Sequence, residues 1–529
     1  MKNKNNIITS TLFIIILTLQ IIAIIYAVSK REYYHMDEYY SYGLMQYKQA
    51  FIFESDDFIN NWHTSDYFKD YIRITEENKW DFSAVYKNQI EDVHPPLWYL
   101  LLRIANTFNV GNFSIWPGTI LNIILFILSS IMIYLIGNKI FKNQWYSLLL
   151  CLVSGFSIAS IETVMFVRMY QLLVLNILLL TYWHLTKSDK NTLVFKNDLI
   201  SLYLIFVAGF LTHYYFAIFA GIFLLMYLIK YIKSKSYKNI ISYILTIIAG
   251  YITTLIIFPY SIQHMFFSYR GRGVLNSLKH SYNVFIYLKS YLNIINEHFF
   301  NGHMYIILIL IGILILINVI LKYYKKTRLQ INNKILYIII PAIIYMLLVS
   351  ITVPYIDLRY IVPAVNLVLM FVLYLLEYTL SNILNKKKTI FILLCIFCII
   401  FSLTSIPKLS NNLYTNLGYN NLVTYMNEII SDRPILFIYE NLDAQYSRLM
   451  SIYPVTLTVA KQSYILPDDE VSSEKIKAIL NNTNISTGIV LVLDTKNEDA
   501  FLHEILNTGL FKEQFKYLTF NLYTVYLLR

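Results

Sequence analysis

Long apolar runs, separated by connections that alternate between short basic and long acidic stretches, predict eleven membrane-spanning helices. These lie near residues 8–28, 115–137, 146–162, 165–185, 199–211, 213–229, 240–259, 303–321, 335–353, 360–380 and 389–406. Runs of about 17–23 residues match a hydrocarbon layer roughly 30 Å thick. The fifth and sixth runs are parted only at Thr212–His213, and the shorter apolar piece Leu97–Phe108 reads as an interfacial helix or part of a span. The first run follows Lys2 and Lys4 and has no small-residue cleavage site, so it is expected to remain as an anchor.

Beyond the last run the pattern changes. PILFIYE and GIVLVLD are short apolar stretches ending in an acid, each flanked by polar, helix-compatible segments, and NLYTVYLLR reads as a terminal strand. The expected fold is an all-α polytopic membrane domain over 1–407, with outer loops at 30–93 and 260–302. A small α/β domain is expected over 408–529. No glycine-rich phosphate loop accompanies its strands, so nucleotide binding there has no support.

Composition agrees with the pattern. Apolar residues make up 57% of 529, charged residues 14%, and mean hydropathy is +0.52, which excludes an ordinary soluble globule. The net charge of +11 has a topological explanation. Lys139 and Lys142; Lys187, Lys190 and Lys196; Lys230, Lys233, Lys235 and Lys238; Lys322, Lys325, Lys326 and Arg328; and Lys386, Lys387 and Lys388 occupy alternate connections. The positive-inside rule makes those connections and the amino terminus cytoplasmic, and an odd number of spans puts the tail outside the cell membrane. Nucleic-acid binding need not be invoked. Cys151, Cys395 and Cys398 all fall in apolar runs and suggest neither a disulfide framework nor a zinc site.

The first outer loop is strongly acidic and interleaved with Trp62, Trp80 and many tyrosines, as expected of short helices lying at the membrane interface. It opens with HMDEYY, which carries Asp37 and Glu38, and ends at His94-Pro95-Pro96, where the two prolines stiffen the backbone ahead of a helix. On the same predicted face lie Glu162 and Arg168, then His213, Tyr214 and Tyr215, then Arg270 and Arg272 in SYRGRG, then Asp357, Arg359 and Tyr360 in DLRYIVP. Each has a plain reading: solvated acids, an interfacial histidine, or arginines that snorkel to lipid phosphates. Ionisable groups at membrane depth cost a few kcal/mol each, and their convergence on one side points to a function.

The order of the Asp-Glu pair after the first span, then HPPLWYLL, VRMYQLL, THYYF and DLRYIVP, resembles the polytopic GT-C glycosyltransferases. Within that group the resemblance is to the branch containing the protein O-mannosyltransferases and the lipid A aminoarabinose transferases. It runs from about residue 30 to residue 370 and leaves the tail uncovered. It implies transfer of a sugar from a polyprenyl-phosphate donor to an acceptor on the outer face by a single inverting displacement. It also implies that Asp37 is the general base, with Glu38 supporting it or positioning the acceptor. His94, Arg168 and Arg359 match family positions that hold the donor phosphate.

The chemistry has its own logic. A departing lipid phosphate needs cations aimed at its developing charge, which His94, Arg168, Arg359, Arg270 and Arg272 can supply. The acceptor must lose a proton to a carboxylate within reach. His213, Tyr214 and Tyr360 are then candidate substrate contacts, while the acceptor (protein, glycan or lipid) stays open. Asp37 and Glu38 alternatively suit a divalent cation, magnesium or manganese. A competing class is a flippase or transporter of lipid-linked sugars, whose charges line a path across the bilayer.

Overall fold

The computed structural model describes residues 2–529 except 33, 56, 188–192, 280–283, 326–331, 354–355, 385, 411–418, 431–432, 441–455, 482, 484, 496 and 521–522. Lys190, Lys326 and Arg328 of the sequence reading lie outside the described residues. The chain forms two compact units. One comprises residues 1–31, 92–101 and 116–413, the other residues 32–91, 102–115 and 414–529.

The first unit is helical. Among the described residues nine helices are long and apolar enough to cross a membrane: Asn6–Ser29, Trp116–Phe141, Phe195–Thr212, Tyr215–Lys233, Tyr237–Ile257, Met304–Leu321, Asn333–Thr352, Leu358–Ile383 and Lys387–Lys408. A tenth is the broken pair Gln144–Gly155 and Ile158–Met165, bent by 59°. The remaining expected run is the helix Tyr170–Lys187, whose Gln171, Asn176 and His184 lower its hydropathy. These polar groups are buried against other helices rather than lipid: Asn176 donates to Thr212 Oγ1 at 3.2 Å, and His184 Nε2 meets the Tyr243 hydroxyl at 2.8 Å.

The bend has identifiable anchors. A Cβ at position 155 would overlap the Gln20 amide, and Gln20 in turn donates to the Cys151 carbonyl at 2.9 Å. Past the break, Ser157 Oγ donates to the His298 carbonyl at 3.0 Å, and Ile158 N–H donates to Asn301 Oδ1 at 3.1 Å. Glu162 then meets His298 Nδ1 at 2.6 Å. The Asn301 side chain, 143 residues away in sequence, thus satisfies a backbone N–H freed by the kink.

The second unit contains a six-stranded mixed sheet with strands β1 (Trp62–Thr64), β2 (Ile435–Tyr439), β3 (Gln462–Pro467), β4 (Ile489–Asp494), β5 (Gln514–Phe520) and β6 (Tyr523–Leu528) in the order β1-β3-β2-β4-β6-β5. The continuous apolar runs of β2 and β4 are buried throughout, as expected for central parallel strands. Helices Ser473–Asn481 and Glu498–Leu506 contribute Ile476, Leu480 and Ile505 to the core against Leu436, Leu466 and Leu491.

The α/β tail follows the sequence pattern, whereas β1 comes from the first outer loop, pairing antiparallel with β3. That loop is a packed piece of the second unit. Asn88 donates to the Leu44 and Tyr47 carbonyls at 3.2 and 2.8 Å, and Gln46 donates to the Asp70 and Tyr71 carbonyls at 2.8 and 2.7 Å.

Candidate active site

In the first unit the two prolines end the acidic loop and the helix Leu97–Asn106 begins immediately after them. His94, ahead of them, receives a partner two residues back: its Nδ1 lies 2.8 Å from Asp92 Oδ2, with side chains only 13% and 10% exposed. Burial alone would raise the Asp92 carboxyl, but the charge and hydrogen bond of His94, helped by Arg168, outweigh it and hold Asp92 at about 2. His94 itself sits below its ordinary value because burial, Arg168 and Arg270 together overcome the pull of Asp92. A neutral His94 then donates Nδ1–H to the carboxylate and turns an acceptor Nε2 elsewhere.

The His94 ring is 5.9 Å from that of His213. His213 ends the helix Ile200–Thr212, and its Nδ1 accepts the Tyr215 N–H at 3.0 Å, so a neutral ring carries its proton on Nε2. Burial first, and then the charges of His94, Arg168, Arg270 and Arg359, hold His213 well below 6.5. Those four groups come from four distant parts of the chain, and a single buried imidazole feels all of them.

Local structure holds each cation. Arg168 follows the helix Ile158–Met165, is buried, and donates from Nη1 to the Tyr99 hydroxyl at 3.0 Å. Tyr99 stands on the helix after the prolines. Asp357 caps the next turn by accepting the Arg359 N–H at 3.0 Å, and its other oxygen lies 3.4 Å from Arg359 Nε. The Arg359 guanidinium also lies 5.2 Å from the Tyr360 ring centre, and Tyr360 meets Tyr215 at 5.8 Å. Arg270 is half-buried over Tyr269. Three guanidinium groups and two imidazoles thus gather in one partly buried cluster beside Asp92 and Asp357. A desolvated concentration of cationic groups of this kind is a place for an anion.

The remaining expected contacts distribute unevenly. The Tyr214 hydroxyl meets His264 Nδ1 at 2.9 Å, and Tyr214 also feels the Asp92 charge. Arg272 is exposed and donates to the Phe267 carbonyl at 2.9 Å, and no described contact joins it to the cluster.

Asp37 and Glu38 belong to the second unit, in the first turn of the helix Met36–Gln46. His35 caps that helix: its Nδ1 accepts the Asp37 N–H at 3.1 Å, while its own N–H donates to Glu38 Oε2 at 2.9 Å. This is a capping box with histidine in the place usually taken by serine or threonine. Glu38 is fully buried, whereas the Asp37 side chain is 22% exposed and lies 3.8 Å from His35 Nδ1. Adjacent side chains leave a helix about 100° apart and do not face each other. The pair therefore offers one accessible carboxylate and does not suit a shared magnesium or manganese ion. Among the described residues no three His, Cys, Asp or Glu side chains come together in a way that would hold a metal.

Sequence reasoning missed Asp92, Tyr99 and His298 as site or support residues. Asp92 was one acid among many in its loop, although the i, i+2 spacing in DVHPP was a usable signal. Tyr99 reads as an interfacial aromatic, and nothing in the sequence pairs His298 with Glu162.

No protein-family model and no curated protein sequence matches the chain. Among solved structures it is similar to ArnT from Cupriavidus metallidurans in the apo state, with a TM-score of 0.54 and 9% identity over 97% of each chain. The same ArnT bound to undecaprenyl phosphate gives a TM-score of 0.53, again at 9% identity over 97% of each chain. At that identity the likeness is one of fold. Over 97% of its length the chain has the polytopic fold of ArnT.

Proposed function

We propose that this protein is a multi-pass membrane glycosyltransferase that moves a sugar from a polyprenyl-phosphate donor to an acceptor at the outer face. The observation carrying this reading is the gathering of His94, Arg168, His213, Arg270 and Arg359 in one partly buried cluster of the membrane-spanning unit. The ArnT fold, in a protein captured with undecaprenyl phosphate, supports the same donor class.

In the proposed reaction the acceptor oxygen or nitrogen attacks the anomeric carbon as the bond from that carbon to the phosphate oxygen breaks. The leaving phosphate gains one negative charge, which Arg168 and Arg359 meet with fixed guanidinium donors. His213 adds a neutral Nε2–H, and His94 takes on positive charge as the anion raises its proton affinity. Asp37 accepts the acceptor's proton. Its place in the first turn of a helix stabilises the carboxylate, and Glu38 holds that turn in shape. The displacement is single and inverting. The amino terminus lies in the cytoplasm and the second unit outside, following the distribution of basic loops.

The test is transfer of radiolabelled sugar from polyprenyl-phosphate donors in membranes containing the full-length protein. Asp37→Asn should abolish label transfer while leaving expression and undecaprenyl phosphate binding intact. Full activity in that variant would end the general-base assignment, and movement of unmodified donor across the bilayer without acceptor would favour a flippase.

A further inference from the structure

A cavity lies wholly within the second unit, beside the helix that carries Asp37. Its volume is about 370 Å³, within the range of small-molecule sites. Tyr34, Tyr39 and Phe113 form an aromatic corner, with ring centres 5.9 Å apart for Tyr34 and Tyr39 and 5.7 Å from each to Phe113. The lining also carries Lys69, Arg73 and Asn112. Tyr34 and Tyr39 bracket Asp37 in sequence.

The two cations differ. Arg73 is engaged by Asp70 at 2.8 Å and Asp66 at 3.2 Å. Lys69 is half-buried, its ammonium donates to the Ser65 hydroxyl at 3.3 Å, and among the described residues no carboxylate pairs with it. A half-buried ammonium beside aromatic faces is a poor place for an apolar ligand and a good one for an anion. Aromatic faces carry partial negative charge and accept the polarised C–H face of a sugar ring. The Asn112 amide adds a donor and an acceptor for hydroxyl groups.

We infer that this pocket binds an anionic saccharide: a sugar ring on Tyr34, Tyr39 and Phe113, with its carboxylate or phosphate on Lys69 and Arg73. Resting on the transferase reading, this names the acceptor as a glycan that carries negative charge. The pocket then presents that glycan from the same folded piece that holds the proposed base.

The test uses the full-length protein in nanodiscs and saturation-transfer NMR titrations with glucuronate, glucose 6-phosphate, glucose, acetate and inorganic phosphate. At least one of the two charged sugars should bind at least tenfold more tightly than glucose, and which one does so identifies a carboxylate or a phosphate as the anionic group. Lys69→Gln should erase that preference, Lys69→Arg should keep it, and Phe113→Leu should weaken all three sugars while the thermal midpoint stays unchanged. Equal binding of glucose, a preference that survives Lys69→Gln, or acetate and inorganic phosphate binding as tightly as the sugars would each overturn the proposal. Sugar binding without any transfer would remove the transferase reading and leave the pocket standing. Transfer that ignores acceptor charge and the Lys69→Gln change would do the reverse.

Discussion

Replacing Asp92 by Asn keeps the shape of the side chain and removes the charge that supports protonation of His94. The two groups are 2.8 Å apart and nearly buried. With charge centres about 4 Å apart and an effective dielectric near 20, their interaction is worth about 4 kcal/mol, or ~3 pH units. Shifts produced by one neighbouring charge run about 1–3 units. Asp92→Asn should therefore lower the His94 midpoint by about 1–3 units, adding to the depression already imposed by burial, Arg168 and Arg270. The assay is undecaprenyl phosphate binding to the full-length protein from pH 5 to 8. In the unaltered protein, affinity should climb as the pH falls and His94 gains its proton against the bound anion. In the variant that climb should move to lower pH and largely leave the measured window. Loss of Asp92 also removes a repulsion from the lipid phosphate and tightens binding at every pH, so the informative quantity is the slope. The phosphate titrates near pH ~6 in both proteins and cancels in the comparison. Parallel plots of log Kd against pH would refute the claim that Asp92 sets the charge of His94.

Two further outcomes follow from the support structure. Burial works against the proton on His298, but the hydrogen bond and charge of Glu162 outweigh it and hold His298 above 6.5. The stability this pair contributes is therefore complete below about pH 6.5 and is lost as the pH rises through the folded value. Glu162→Gln should cost about 1.5–3 kcal/mol at pH 6, and calorimetric midpoints should show the gap to the unaltered protein closing at alkaline pH; a gap independent of pH contradicts the pairing. Gly43→Ala places a methyl group into the Tyr71 ring, which cannot withdraw easily because its hydroxyl donates to the Ala50 carbonyl at 3.0 Å. The expected loss is about 1–3 kcal/mol in thermal or denaturant unfolding, with reduced transfer because the helix carrying Asp37 shifts, and an unchanged midpoint would show that the helix can move at no cost.

Hydropathy revealed the helices that face lipid, since a lipid-exposed helix must be apolar over most of its surface. It was weakest for Tyr170–Lys187, which is enclosed by protein and can carry Gln171, Asn176 and His184 because each finds a partner. The continuous strands β2 and β4 were legible for the same reason of burial on both faces. The three-residue strand β1 was not, because Trp62–Thr64 is too short to show a period, and its pairing with Gln462–Tyr464 is set by tertiary packing. At the site, the cations were legible as charges that membrane depth makes costly. Asp92 was not, because a loop rich in acids hides the one acid that is buried. The distinction between Asp37 and Glu38 lies in the fold: both are acids at a helix start, and only the capping geometry shows that Glu38 is the buried one.

The proposed polyprenyl-phosphate site around His213 is decided by undecaprenyl phosphate binding to the full-length protein and to Arg168→Gln and Arg359→Gln. Each lost charge-assisted contact is worth about 1.5–3 kcal/mol, so each variant should bind about 10- to 100-fold more weakly at pH 7 with an unchanged fold. Affinities within twofold of the unaltered protein in both variants would contradict the assignment.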